Sequence, residues 1–591
     1  MLLSFCGGGG GGVSGSGGAS GGGGGGVSGG VSGGVSGFRV LRRVLVANRG
    51  EIAVRVIRTC RQLGIETVLT VSDADAGSLP ARLADQVIRI GPAPASASYL
   101  NVGAVVGAAV SAGADAVHPG YGFLSENARL ARACAAAGIV FVGPDPGVLE
   151  ATGDKLAARE HAVAAGLPVL PGGHVSPGGR PDGTGTSPAG AARPAIAEEA
   201  ALVAGRIGYP VLVKAAGGGG GRGLRVVRDP DGLGHAVALA SAEADAAFGD
   251  PRVYLERFVE RGRHVEVQLL GDGEHVIHLG DRDCSVQRRY QKLIEEAPAP
   301  GLPGDLRERL RAAAVTLGER LRYRGAGTVE FLVDAGSAGP GDGEFYFLEV
   351  NARVQVEHPV TEAVTGIDIV AEQLALAEGR PLRLKQADVT LTGHAIEVRL
   401  NAEDPAAGFR PSPGTVTRAV FPATTFSPGT PAAPAAPGTR GGHGGAGAGG
   451  GARAGGGGAR AGGVGARAGG VGARDVGGGV RVDTHVQAGA AVPPYYDSLL
   501  AKVIARGADR AHAIAALRGA LDRCAVDGVS TNLDLHRALL ADAAFAAGGV
   551  DTGYLARWLA APPAGRVAVA EQAATVRDEL DLDLDPGDGD G

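Results

Sequence analysis

Residues Glu349 to His358 constrain this chain more than any other stretch, because polar and small apolar side chains alternate along them. Successive side chains of an extended strand point to opposite faces, so the alternation predicts a strand with one polar and one apolar face. The polar face carries Glu349, Asn351, Arg353, Gln355 and Glu357. A half-buried strand with a solvated face gives a similar alternation. Carboxylates, amides and a guanidinium in one row favour the lining of a site instead.

A second alternating run, residues 325–334, places Glu330 within an otherwise apolar strand. If this strand neighbours the first, the side-chain oxygens of Glu330, Glu349 and Asn351 converge. Such a set suits Mg²⁺ or Mn²⁺, with phosphate completing the coordination shell. The metal charge also explains how two carboxylates remain ionised side by side.

Glycine is abundant but unevenly distributed among the 591 residues, which are enough for several domains. Residues 7–37 are almost entirely Gly, Ser and Val, residues 440–479 are mainly Gly, Ala and Arg, and residues 171–196 are rich in Gly and Pro. These segments carry too little apolar surface to offset the entropy of ordering, so we expect them to be flexible. The acidic tail that follows Asp578 is expected to be disordered.

The charge and the cysteine spacing argue against a nucleic-acid-binding protein and against a disulfide-bonded secreted protein. The net charge is −6, and no basic stripe of the kind that binds nucleic acid is present. The five cysteines are scattered, without disulfide or metal-ligand spacing, which indicates a reducing compartment. No signal peptide or membrane-spanning segment is recognisable. We therefore expect a cytoplasmic protein without a membrane partner.

Lysine is rare, since the 56 basic residues include only five lysines, at positions 155, 214, 292, 385 and 502. The chain uses arginine wherever a positive charge suffices. The remaining lysines therefore mark positions where a compact ammonium group is needed instead of a planar guanidinium.

Alternating strand and helix patterns from residue 43 to 143 predict a doubly wound N-terminal domain. Residues 118–127 are typical of a loop that ends in a helix cap, and residues 151–170 predict a helix with Lys155 at its start. Further on, strands Val211–Lys214 and Leu224–Val227 flank Gly217–Gly221. Consecutive glycines let backbone amides approach phosphate closely, and this hairpin can fold over a nucleotide as a lid. It is not a Walker A loop, since no Gly-Lys pair occurs in the chain.

The remaining sequence predicts more strands, followed by a helical stretch over Ala511–Phe545. Residues 282–300 concentrate cationic side chains beside strands, which favours an anionic ligand. Arg399 lies in another alternating strand, residues 393–404, where it is either a site residue or the structural partner of Glu397 or Glu403.

Ten motifs in one order make the chain resemble biotin carboxylases, which are members of the ATP-grasp superfamily. They are NRGEIAVRVIR, HPGYGFLSEN, GDK, LVKAAGGGGGRG, RHVEVQ, RDCSVQRR, GAGTVEF, FLEVNARVQVEHPVTE, GHAIEVRLNAED and VPPYYDSLLAK. The resemblance covers residues 42–423 and 480–560, and it depends on the whole set of motifs.

The resemblance implies an α/β fold: a doubly wound N-terminal (pre-ATP-grasp) domain, an ATP-grasp fold with a glycine-rich lid, and a C-terminal mixed α+β cap domain. The expected divisions are a disordered tail (1–40), the N-terminal domain (41–153), the lid subdomain (154–257, with the insert 171–196), the ATP-grasp core (258–390), the C-terminal domain (391–565, with a disordered insert 424–479) and the acidic tail (566–591).

The resemblance also implies roles for individual residues. The catalytic group comprises Glu357 as general base, Arg399 as the group that stabilises the biotin enolate, and Arg353 and Lys292, which hold bicarbonate together with Gln355 and Val356. The nucleotide group comprises Lys155, Lys214, the lid glycines Gly217, Gly218, Gly219, Gly220 and Gly221, then Glu256, Val259, His264 and Gln287. The metal group comprises Glu330, Glu349 and Asn351.

The implied activity is an ATP-dependent ligase reaction. Biotin would be carboxylated with bicarbonate through carboxyphosphate, with Mg²⁺ or Mn²⁺, as the first half-reaction of an acetyl- or acyl-CoA carboxylase. The Met-Lys-Met acceptor of biotinyl domains is absent, since Met1 is the only methionine. We therefore expect a separate biotin carboxyl carrier protein and a carboxyltransferase subunit as partners, and a homodimer.

The sequence departs from the family pattern at Tyr290, where many relatives have His, and at Arg257, where Lys is frequent. Two alternatives remain open at this point. One is another ATP-grasp ligase, such as a carbamoyl-phosphate or peptide ligase domain. The other is a non-catalytic ATP-binding subunit.

Overall fold

The computed structural model describes residues 38–175, 192–215, 224–248, 251–334, 344–427 and 478–561. The N-terminal glycine-rich tail, the acidic C-terminal tail, most of the two inserts and the loop Gly217–Gly221 lie outside the described residues. None of the helices in the described ranges has the length and apolar character needed to span a bilayer.

The N-terminal part forms a parallel five-stranded sheet with helices on it, as the alternating pattern predicts. Its elements are β1 (Arg43–Val46), α1 (Gly50–Gln62), β2 (Glu66–Ser72), α2 (Leu79–Leu83), β3 (Gln86–Gly91), α3 (Val102–Ser111), β4 (Ala116–His118), α4 (Ala128–Ala136) and β5 (Val140–Phe141). The strand order is β3-β2-β1-β4-β5, and each neighbouring pair is parallel. The doubly wound prediction is therefore confirmed.

A small antiparallel sheet follows and carries the hairpin that flanks the glycine loop. The elements are α5 (Pro146–Gly153), α6 (Lys155–Ala164), β6 (Gly172–Val175), α7 (Ala192–Ile207), β7 (Val211–Ala215), β8 (Arg225–Val227), α8 (Leu233–Phe248) and β9 (Val253–Arg257). The strand order is β6-β9-β7-β8. The predicted flexible segment 171–196 is regular at its ends, since β6 occupies its start and α7 begins at Ala192.

The third part contributes most of the large sheet. Its elements are β10 (Gly262–Asp272), β11 (Val276–Arg288), β12 (Gln291–Ala297), α9 (Gly304–Arg320), β13 (Arg324–Asp334), β14 (Glu344–Asn351), α10 (His358–Thr365) and α11 (Ile369–Ala377).

The C-terminal part extends that sheet and adds short strand pairs and helices. Its elements are β15 (His394–Asn401), β16 (Glu403–Asp404), β17 (Arg410–Pro411), β18 (Gly414–Thr415), β19 (Arg418–Val420), β20 (Gly479–Thr484), β21 (Ala491–Val492), β22 (Leu499–Gly507), α12 (Arg510–Asp522), β23 (Ala525–Asp527), α13 (Leu533–Ala541), α14 (Ala543–Ala547) and α15 (Tyr554–Ala560). The single helical stretch predicted over Ala511–Phe545 is wrong, because β23 interrupts it and pairs with β19.

One antiparallel sheet of eight strands, β14-β13-β10-β11-β12-β15-β22-β20, runs through both parts of the chain. Pairing of β12 with β15 carries it across the division that we predict near residue 390. One face is apolar: Val265 and Val267 of β10 and Phe331 of β13 pack with α9 in a common core. The alternate residues of the same strands therefore face the opposite side, where the predicted site residues lie.

The outer edge of β20 is covered by Thr424 and Thr425, which lie at the start of the predicted second insert. The Thr425 amide donates to the Val480 carbonyl (2.7 Å), and the Thr425 hydroxyl accepts from the Val480 amide (2.8 Å). The Thr424 hydroxyl accepts from the Val482 amide (3.2 Å). The two sides of the second insert are therefore hydrogen-bonded to each other, through Thr425 and Val480.

The contact between α9 and the large sheet predicts a measurable cost for core truncation. Leu310 of α9 is fully buried in this core. Leu310→Ala is expected to lower the free energy of unfolding by about 2–5 kcal/mol in urea titrations, because it leaves a cavity. The same substitution at Leu202, which is 71% exposed on α7, is expected to change it by less than about 0.5 kcal/mol. Equal effects at the two positions would contradict this packing.

Candidate active site

A cavity of about 700 Å³ lies between the small sheet and the polar face of the large sheet. Most residues that the sequence predicts for the site line it: Lys155, Lys214, Glu256, Val259, His264, Gln287, Lys292, Glu330, Glu349, Asn351, Arg353, Gln355, Val356 and Arg399. Glu357 lies behind this lining and contacts two of its members, Lys292 and Arg399. Gly217–Gly221 lie outside the described residues.

The strand predicted for Glu349–Glu357 ends earlier than expected, at Asn351. The Ala352 amide donates to the Glu126 carboxylate (3.0 Å) instead of to a neighbouring strand. The chain then forms an irregular arch that leads into α10 at His358. The alternation survives in the arch, because Val354 is buried in the core while Arg353 and Gln355 face the cavity. The prediction of one continuous strand was wrong, and the predicted two faces hold only as far as Gln355, because Val356 lines the cavity while Glu357 lies behind the lining.

Lys292 joins three carboxylates at the floor of the cavity. Its Nζ lies 2.6 Å from Glu266, 2.8 Å from Glu330 and 2.6 Å from Glu357. Glu266 and Glu357 are fully buried, so each carboxylate needs a charged partner to remain ionised. Arg282, also fully buried, supplies a second cation to Glu266 (2.5 Å).

These contacts keep Glu357 ionised. Burial alone would raise the pKa of Glu357, but the charges of Lys292, Arg399 and Arg282 outweigh it and hold the pKa well below its usual value. The same carboxylates raise the pKa of Lys292 well above its usual value, against the effect of burial. The pair is therefore fully charged at neutral pH.

The three predicted metal ligands lie on neighbouring strands, which is the condition that the sequence prediction set for their convergence. Glu330 lies opposite Glu349, and Asn351 of β14 lies opposite Thr328 of β13. Burial and the neighbouring Glu330 charge raise the pKa of Glu349. Carboxylates opposed across strands repel each other, and a divalent cation between them would relieve that repulsion. The donor set of two carboxylates and an amide oxygen thus fits Mg²⁺ or Mn²⁺.

Glu330 and Asn351 also organise the groups around them. The Glu330 carboxylate accepts from the side-chain amides of Asn351 (3.0 Å) and Gln355 (3.1 Å), and it lies 3.0 Å from Nε2 of His264. Lys292 and His264 hold the pKa of Glu330 well below its usual value, although burial opposes them.

Arg353 is fixed in the cavity wall by groups on three sides. Its guanidinium donates to Glu126 (3.0 Å), to the Gln355 side-chain oxygen (2.8 Å) and to the Asn351 side-chain oxygen (2.7 Å). Glu126 lies in residues 118–127, for which the sequence predicts only a loop that ends in a helix cap. It orients both Arg353 and the start of the arch.

Arg399 is bound by neither of the partners that the structural alternative proposes, Glu397 and Glu403. Its guanidinium donates instead to Glu295 (2.5 Å) and to Glu357 (3.0 Å). Burial raises the pKa of Glu295 to about 7, against the lowering effect of Arg399. Arg399 therefore belongs to the same charged cluster as Lys292.

A second cavity, of about 270 Å³, also reaches Arg399, and residues at the start of α1 such as Glu51 and Ile52 line it. Tyr121, Val356 and Arg399 line both cavities. Two routes thus meet at the same guanidinium and at the same short segment of the arch.

At the other end of the main cavity lie the groups predicted to bind a nucleotide. Lys214 of β7 forms an ion pair with Glu256 of β9, so this carboxylate is engaged by a side chain. Arg257, Phe258 and Val259 line the cavity beside it. Lys155 opens α6, whose first turn is capped by the side chain of Asp154.

Sequence reasoning missed four residues of this cluster: Glu266, Arg282, Glu126 and Glu295. Glu266 shows the same signal that identified Glu330, since it is a charge within an apolar strand and pairs with Glu330 across β10 and β13. Glu126 and Glu295 carry no such signal, because their partners Arg353 and Arg399 are distant in sequence.

The position of Lys292 predicts a pH-dependent loss of stability in Lys292→Met. Without the ammonium, the glutamates would have folded pKa values above those of the unfolded chain, so ionisation would favour unfolding. The loss of Tm relative to the wild type is expected to grow as the pH rises from about 4 to about 8. Lys385→Met, at an exposed lysine, is the control and should show no such trend. A loss of Tm that stays constant over this pH range would argue against the shared charge.

Three family models match the chain in order. They are described as the biotin carboxylase N-terminal domain (residues 40–149), the carbamoyl-phosphate synthase L chain ATP-binding domain (183–385) and the biotin carboxylase C-terminal domain (469–557). They follow one another along the chain in the same order as the N-terminal, middle and C-terminal parts of the fold.

Individual relatives agree with these matches. A biotin carboxylase of Pseudomonas aeruginosa is 46% identical over 522 residues, which cover 88% of this chain and 99% of that protein. A solved complex of biotin carboxylase with a β,γ-ATP ligand from Campylobacter jejuni has a TM-score of 0.72 and 38% identity, over 88% of this chain and 99% of that one. The biotin carboxylase domain dimer of Hydrogenobacter thermophilus 2-oxoglutarate carboxylase, solved with MgADP, ADP and bicarbonate, has the same TM-score and identity, over 88% and 98%.

Proposed function

Because the chain belongs to the biotin carboxylase family, we propose that it carboxylates biotin held on a separate carrier protein, with ATP and bicarbonate as co-substrates. The observation that carries this proposal is the meeting of Glu357 with Lys292 and Arg399 at a cavity of about 700 Å³, a size that suits a nucleotide.

Bicarbonate is a poor nucleophile and needs a base. Glu357 is unprotonated at neutral pH and accepts the bicarbonate proton while a bicarbonate oxygen attacks the γ-phosphorus of ATP. Lys292, Arg353, Gln355 and the Val356 amide hold the anion. When Lys292 is shared with bicarbonate, its hold on Glu357 weakens and the carboxylate becomes a stronger base. ADP leaves, and carboxyphosphate remains.

The nucleotide occupies the end of the cavity formed by the small sheet. Lys155, Lys214 and the loop Gly217–Gly221 bind its phosphates, while Glu256, the Val259 main chain, His264 and Gln287 position the rest. Glu330, Glu349 and Asn351 hold Mg²⁺ or Mn²⁺. The metal, when bound, neutralises negative charge on the phosphates.

Biotin reaches the site through the second cavity, which meets the first at Arg399. Carboxyphosphate breaks down to CO₂ and phosphate, and phosphate takes the proton from biotin N1. Arg399 stabilises the negative charge on the ureido oxygen, and N1 then bonds to CO₂. Glu295 and Glu357 hold the guanidinium in place for this step.

The proposal extends to partners and location. A biotin carboxyl carrier protein presents biotin, a carboxyltransferase subunit consumes the carboxylated product, and the chain forms a homodimer. The solved dimer among its structural relatives supports the last point. We place the protein in the cytoplasm, since Cys60, Cys134, Cys284 and Cys524, the cysteines of the described residues, are free and buried.

Glu357→Gln tests the base directly. The amide cannot accept the bicarbonate proton, so bicarbonate-dependent ATP cleavage should fall by about 10²–10⁴-fold while ATP still binds with wild-type affinity. Phosphate release measures the first quantity, and calorimetry with a non-hydrolysable ATP analogue measures the second. Full activity in this variant would remove Glu357 from the role of base.

Arg399→Met tests whether Arg399 acts in the carboxylation of biotin and not in the preceding cleavage of ATP. Carboxylation of free biotin is expected to fall by about 10²–10³-fold, because the ureido oxygen loses its counter-charge. Bicarbonate-dependent ATP cleavage without biotin should fall less. In the wild-type protein, free biotin should stimulate ATP cleavage, a response not expected of another ATP-grasp ligase or of a non-catalytic subunit. Equal losses of both activities in Arg399→Met would contradict the assignment.

A further inference from the structure

Lys502 is the most deeply buried lysine of the described chain, yet it lies outside the groups assigned above. Its side chain, on β22, is fully buried. The Nζ donates to the Val356 carbonyl (2.9 Å) and lies 3.1 Å from Glu51 and 3.8 Å from Asp483. It thereby joins α1, the C-terminal strands and the arch that carries Glu357.

Two buried side chains hold successive carbonyls of the arch. His358 Nδ1 lies 2.7 Å from the Gln355 carbonyl, and Lys502 binds the next carbonyl, that of Val356. In a trans peptide the N–H points away from the C=O. The amides of Val356 and Glu357 therefore point away from His358 and Lys502, respectively, and the planes of both peptides are fixed.

The ammonium of Lys502 is held in place by partners that are themselves fixed. The Glu51 carboxylate accepts a hydrogen bond from the Tyr121 hydroxyl, and Asp483 accepts two from Arg481, at 2.9 and 2.6 Å. A compact ammonium fits between Glu51, Asp483 and the Val356 carbonyl. This is the kind of position in which an arginine-rich chain retains a lysine.

We propose that Lys502 is a positioning residue for the bicarbonate half of the site: by holding the Val356 carbonyl, it sets the direction of the Val356–Glu357 peptide. Glu357, whose backbone amide lies in this peptide, is thereby placed with its carboxylate toward bicarbonate, while His358 holds the preceding peptide, which carries the Val356 amide. This inference rests on the proposed function, but Lys502 itself touches no substrate.

Lys502→Met tests the inference, since it keeps the length of the side chain and removes the donor. The KM for bicarbonate is expected to rise about tenfold, the size of losing one hydrogen bond to a charged group, while the KM for MgATP stays within about twofold. Lys385→Met, at an exposed lysine, serves as the matched control.

A second variant separates positioning from folding. Lys502→Met leaves Glu51 without its ammonium partner, so Lys502→Met/Glu51→Gln removes the unpaired charge and should recover most of the lost Tm. The selective rise in the KM for bicarbonate should persist in this double variant, because the Val356 carbonyl is still unheld. Glu51→Gln alone measures how loss of the Glu51 charge changes the Tm and the KM for bicarbonate.

The possible outcomes are distinct. A selective effect on the KM for bicarbonate in both variants supports the inference. A double variant with wild-type kinetics, a parallel rise of both KM values, or a double variant that does not fold would each assign Lys502 to stability alone and overturn it. Absence of bicarbonate-dependent ATP cleavage in the wild-type protein would instead overturn the proposed function itself.

Discussion

The contact of one ammonium with three buried carboxylates is the interaction on which this site depends. Glu266, Glu330 and Glu357 share the Lys292 ammonium in addition to their separate partners Arg282, His264 and Arg399, and removing one partner of a buried ion pair costs several kcal/mol. The four residues come from β10, β13, the arch and β12. The cluster therefore exists only when these segments pair in the observed register, since a shift by one residue would turn every side chain to the other face.

The large sheet explains why distant groups act on one small volume. Glu330 and Arg399 lie on strands separated by β10, β11 and β12, yet both belong to one antiparallel sheet. The apolar face of that sheet packs against α9 and keeps the strands in place. Charged side chains on the opposite face are thereby held at fixed spacings. Lys292 and Arg399 can therefore each donate a hydrogen bond to a different oxygen of the Glu357 carboxylate.

Periodicity was sufficient to predict the strands and the two faces, because the period of a strand is a local property. It left open whether the strand of Glu330 neighbours that of Glu349, and the structure pairs the two residues. It could not predict that the strand ends at Asn351, because the Ala352 amide is captured by Glu126, which is 226 residues away. It could not predict Glu295 and Glu357 as the partners of Arg399 either, because both are distant from Arg399 in sequence. Only the resemblance in ordered motifs identified the reaction, since composition and spacing leave other nucleotide-dependent ligases open.

The pairing of Thr425 with Val480 has a consequence for the length of the chain between them. Since Thr425 and Val480 are hydrogen-bonded to each other, the entropy cost of closing a flexible connection between them would grow by only about 0.6 kcal/mol for each doubling of its length. Segments of very different size can therefore be added or deleted here at little thermodynamic penalty. A change of length at this edge strand leaves β22 between the altered connection and Arg399 on β15.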